Sequence, residues 1–166
     1  MTNHITAKIL ATLAIMVAAL GATNAQSTSR SIDGTYELTK RVLADGTIPE
    51  PPSVAALYTI VHGRFNLNLF IKNPDGTIGS ESTIGRYTFS SKKYCEWIDY
   101  TTRKDLDKPG VTNEAPEVAE HCKPVTSKKG RFNFSPPGEG VAVSFGPEGF
   151  IAKIGGEFVD HWRKIR

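Results

Sequence analysis

The sequence predicts an all-β fold, an antiparallel up-and-down β-barrel of about eight strands carrying one disulfide-tethered polar loop. Three observations lead there. From Asp33 onward apolar residues recur mostly at period two rather than 3.6, the spacing of half-buried strands. Turn chemistry interrupts these runs at short intervals, at Asp45-Gly46, His62-Gly63, Pro74-Asp75-Gly76, Pro136-Pro137-Gly138 and Gly155-Gly156. No strong amphipathic helix separates the runs. Short connections favour antiparallel neighbours, and closure removes exposed edges. A two-sheet sandwich is the alternative.

The elements follow in chain order. Lys8 and the 14-residue run Ile9 to Ala22, broken only by Thr12 and Gly21, read as a secretory signal. Thr23-Asn24-Ala25 offers a small-residue cleavage site, so residues 1–25 are expected to be removed. The run is shorter than the ~20 apolar residues a spanning helix needs, and the mature chain is expected to be soluble. Cleavage takes away Lys8 and no acid, lowering the net charge of +3 by one. Residues 26–32 form a polar tail, and residues 33–166 form one domain, in keeping with a 166-residue chain. Strands are expected at 33–43, 55–62, 65–73, 82–90, 92–102, 129–135, 140–146, 149–154 and 157–165. The clearest is the third, where Phe65, Leu67, Leu69 and Ile71 alternate with Asn66, Asn68 and Lys72 and only Phe70 lapses.

Export governs the cysteines. Cys95 and Cys122 both survive cleavage and meet an oxidising compartment, where one disulfide is the simplest outcome. The closed loop holds 28 residues, for which chain entropy gives about 3–4 kcal/mol. Adjacent His121-Cys122 does not assemble four metal ligands, so no metal is expected. Arg103 to Lys128 departs from the strand rhythm and carries five acids, five bases and three prolines, a solvated excursion. Asn113 would cap a short helix over Glu114 to His121. Tied back by the bridge, the excursion is either a lid or a plain surface loop.

Several short segments resemble the lipocalin superfamily, in the form of bacterial lipocalin-like domains. Gly34-Thr35-Tyr36-Glu37-Leu38 is similar to its Gly-x-Trp opening, with Tyr36 in the Trp position. Gly85-Arg86-Tyr87-Thr88-Phe89 resembles its Gly-x-Tyr strand, and His161-Trp162-Arg163-Lys164 its closing strand. The resemblance implies that Tyr36 plugs the closed end of a barrel and that Arg163 or Lys164 covers it. It also implies a ligand inside.

No catalytic signature is present: no nucleophile elbow, no phosphate loop, no dinucleotide fingerprint and no His-Glu-x-x-His. Export and the small net charge argue against nucleic acid and against a membrane surface as partner. What remains is positional. Strand alternation turns Tyr36, Tyr58, Leu67, Leu69, Tyr87, Phe89 and Trp162 into a barrel's interior as an aromatic, ligand-binding lining. The opposite outcome is a core filled by those same side chains. Asp160, between Phe158 and Trp162, is a candidate general acid or base if it faces inward, with Glu96 as a second. If Asp160 faces outward or is salt-bridged, it is a structural acid. The function expected is a periplasmic or secreted protein that binds a small apolar or amphipathic molecule, with no cofactor. An isomerase, cyclase or lyase on the same scaffold is one alternative. A periplasmic protease-inhibitor-like interaction protein is the other.

Overall fold

The computed structural model describes residues 31–49, 53–115, 121–136 and 140–166. The signal segment 1–25, the tail to Arg30 and the Pro137-Gly138 part of the fourth turn lie outside the described residues. The described chain is all-β. Twelve strands run β1 (Gly34–Leu43), β2 (Val54–Val61), β3 (Arg64–Lys72), β4 (Ile78–Phe89), β5 (Lys93–Lys104) and β6 (Thr112–Glu114), then β7 (His121–Pro124), β8 (Thr126–Lys128), β9 (Arg131–Phe134), β10 (Val141–Gly146), β11 (Gly149–Ile154) and β12 (Phe158–Lys164).

All pair antiparallel in the order β6-β5-β4-β3-β2-β1-β12-β11-β10-β9-β8, with β7 off this path against β5. The meander is the expected one; the count of eight strands and the closed barrel are not, because the hydrogen-bonded order ends at β6 on one side and β8 on the other and the sheet is not closed. Nine strands match the nine expected runs, and the other three lie in the excursion read as a loop. The helix expected over Glu114–His121 falls mostly on 116–120, outside the described residues, and its two end residues belong to β6 and β7. Lys129 and Gly130, expected to open the run 129–135, precede β9. Lys129 and Gly130 have φ of 50° and 75°, as do His62 and Gly63 with 49° and 76°. Two consecutive positive φ values make the type I′ turn whose twist matches a tight hairpin.

The sheet curls so that distant strands meet on its concave face. Tyr94 of β5 packs on Phe134 of β9 with ring centroids 4.5 Å apart, and Tyr58 of β2 meets Phe150 of β11 at 6.0 Å. Register shifts at Leu38/Lys40 and Ile84/Gly85 help it bend, since an extra residue on one strand tightens the local twist. At the second shift the Phe65 ring and the Trp97 carbonyl lie against Gly85 where a Cβ would stand, which only glycine tolerates. Only Val125 separates β7 from β8. Its N–H donates to the Lys92 carbonyl at 2.9 Å, and its side chain is buried.

Candidate functional site

One end of the concave face is closed by the chain's own side chains. Tyr36 is 1% exposed, packed edge-on against Phe145 and Phe150 at 5.7 and 5.1 Å, and its hydroxyl donates to the Ile32 carbonyl at 2.7 Å. Burial, then the charge of Asp33, push the Tyr36 hydroxyl up to about 12. Ile32, which the sequence reading puts in the polar tail, is buried beneath it. Of the two basic residues expected over Tyr36, Lys164 lies there, with Nζ 5.9 Å from the ring centre, while Arg163 turns away to pair with Glu37. Tyr87 stacks on Tyr94 and its hydroxyl donates to Asp33; Phe89 packs on Phe132 at 5.0 Å. Three of the expected ligand-binding residues, Tyr36, Tyr87 and Phe89, therefore form part of this packed floor.

The middle of the face holds polar groups that hydrocarbon rarely accommodates unpaired. Glu96 is 7% exposed and accepts a hydrogen bond from the Tyr94 hydroxyl at 2.6 Å. Burial pushes its carboxyl up to about 6, against the pull of that hydroxyl. The Tyr58 hydroxyl adjoins the pair, and burial, followed by the Glu96 charge, raises it well above the usual phenol range. Trp162 stacks on Phe150 at 5.1 Å and lies edge-on to Tyr58 at 6.4 Å. Its Nε1–H is buried with no acceptor among the described residues.

Toward the other end the face opens. Val54, Tyr58, Leu67, Leu69, Ile98, Val141 and Ala152 are only half-buried against the core. At this end Asp160 is inward, 3% exposed, and fully paired: Arg41 Nε and Nη2 reach its two oxygens at 2.7 and 2.6 Å. The Arg41 guanidinium also lies 3.8 Å from the Phe158 ring centre. An acid held by a bidentate guanidinium has no free lone pair directed at a substrate, so Asp160 is a structural acid. Glu81 pairs with Arg103 at 2.8 Å, and Thr83 and Thr101 share a hydrogen bond of 3.0 Å.

The disulfide joins β5 to β7: Cys95 and Cys122 face each other in register and are bonded, Cys95 fully buried and Cys122 exposed. A cleft of about 800 Å³ is lined from both faces, with Leu38, Val54, Ala56 and Leu69 of the concave face beside an outer row. Glu37, Leu57, Asn68, Ser82 and Thr102, one register row over five strands, line it, and of the expected ligand residues only Leu69 adjoins it. Tyr94 and Arg41 carry much of the interior's chemistry and were missed as site residues. Tyr94 had a signal in its alternation with Glu96; Arg41 had none, because the shift at Leu38/Lys40 reverses its face. No family model, no curated protein and no solved structure matches the chain.

Proposed function

We propose that this chain is an exported, lipocalin-like protein that binds a small apolar or amphipathic molecule on the concave face of its sheet. The observation that carries the reading is the pairing of a half-buried apolar wall, Leu67, Leu69 and Ile98, with two buried polar groups below it that lack full partners, Glu96 and Trp162 Nε1. Pockets for small molecules are mostly apolar with a few convergent polar groups. On this reading residues 121–128, held to β5 at one end and to β9 at the other, close the sheet into a barrel. The ligand enters beside Arg41–Asp160, opposite the Tyr36 floor. The disulfide fits an oxidising compartment, in keeping with a periplasmic or secreted protein without nucleic acid or membrane as partner.

Nile red tests it. Burying about 300–400 Å² of apolar dye at ~25 cal/mol per Å² gives a gross gain of ~8–10 kcal/mol, enough for a Kd on the order of micromolar once ordering costs are met. Leu67→Trp, on the concave face, should weaken binding by about tenfold or more through overpacking, and Phe70→Ser, on the outer face of the same strand, should not. The reverse pattern places the ligand on the outer face. Glu96 also favours a second reading, an isomerase or lyase using a buried carboxyl as general base. Deuterium exchange α to the carbonyl of a bound ketone, lost in Glu96→Gln, would select it.

A further inference from the structure

We infer that the interior site takes a protonated amine on an apolar skeleton, with the Glu96 carboxylate as its counter-ion and the rings of Tyr58, Tyr94 and Trp162 around it. The inference rests on the concave face being the binding site, and it follows from comparing the two buried acids. Asp160 has a guanidinium on both oxygens. Glu96 takes part in none of the six ion pairs among the described residues, and its one hydrogen-bond donor is neutral Tyr94. Buried charges in proteins are otherwise paired, because an unpaired one forfeits its hydration without return.

Among the described residues, the groups around Glu96 do not supply that cation. On β4 its register partner is Tyr87; on β7 it is His121, which is exposed and makes no ion pair with it. Lys123 stands opposite Tyr94 and is exposed as well, and Arg131 is committed to Ser144. The rest of the surroundings are aromatic: Tyr94 lies between Tyr87 and Phe134, at 6.4 and 4.5 Å, and Tyr58 lies edge-on to Trp162. Trp162 Nε1–H still lacks an acceptor among the described residues, so the skeleton that fits best also carries a hydroxyl or carbonyl oxygen. The chain's net charge of +3 works against uptake of cations in general. A preference for an amine would thus arise at this carboxylate and not from the protein's overall field.

The test uses one chain length with three head groups, decylamine, decanol and decanoate, displacing Nile red from the full exported protein near pH ~7.5, where all three head groups hold one charge state. Decylamine should bind about tenfold tighter than decanol, and decanoate weakest. Glu96→Gln should bring decylamine to the decanol value and leave decanol unchanged. Glu157→Gln, the same charge change in an exposed turn, should keep the preference. Equal binding of decylamine and decanol, or a preference that survives Glu96→Gln, overturns the amine assignment while the binding site stands. No displacement by any of the three overturns both.

Discussion

Replacing Glu96 by Gln isolates the cost of holding a carboxylate inside this sheet. The Glu96 carboxyl is pushed from 4.5 to about 6, chiefly by burial, which corresponds to ~2 kcal/mol of preference for the neutral form. The sign is set by proton counting. Between pH ~4.5 and ~6 the folded state holds more of this proton than the unfolded state, so stability falls as pH rises through that window and levels off above it. Gln is neutral at every pH and keeps a carbonyl oxygen to accept from Tyr94. Urea unfolding of both proteins from pH ~4 to ~7.5 reads the effect, because all other titrating groups cancel in the difference. The two should be nearly equal at pH ~4, with Glu96→Gln more stable by about 1–2 kcal/mol at pH ~7.5. A difference that does not change with pH, or a variant less stable at pH ~7.5 than at pH ~4 relative to wild type, refutes the reasoning.

Breaking the Arg41–Asp160 pair with Arg41→Met leaves an unpaired buried carboxylate and should cost about 3–5 kcal/mol in urea unfolding, most of it recovered in Arg41→Met/Asp160→Leu. Cys95→Ser should lower stability by about 2–4 kcal/mol, and reduction of the wild type should reproduce that loss in the same assay. Intact mass of the exported protein should correspond to a chain beginning at Gln26; a soluble form retaining residues 1–25 would remove the export reading.

The long strands were legible because their period survives in the residues. Phe65, Leu67 and Leu69 sit on one face and Asn66 and Asn68 on the other, as the alternation requires. The short strands β6, β7 and β8 were not. Every residue in them is exposed, so no burial pressure writes an alternation into the sequence. Bulges hid more. Alternation groups Tyr100 with Tyr94 and Glu96, but the unpaired Asp99 at the β4–β5 shift turns Tyr100 outward, where its hydroxyl donates to Asn113. Asp160 reads from sequence as a general acid or base if inward and as a structural acid if outward or salt-bridged; it is inward and salt-bridged, and its partner Arg41 lies 119 residues away, beyond the reach of local pattern. For the ligand-binding set, alternation identifies a face but not what fills it. Tyr36 and Tyr87 are buried against other rings, Phe89 and Tyr58 pack on rings while half-buried, and Leu67 and Leu69 keep surface free.

The most direct test of interior binding uses the tryptophans, which lie on opposite faces. Trp162 is inward beside Tyr58, and Trp97 is outward beside Arg86, 5.8 Å from its guanidinium. In Trp97→Phe protein only Trp162 emits, and a bromine-bearing decanol quenches an indole that it touches. Saturable quenching of Trp162 at concentrations on the order of micromolar is the predicted result. Emission from Trp162 that stays constant while the same bromodecanol saturates the protein would contradict it.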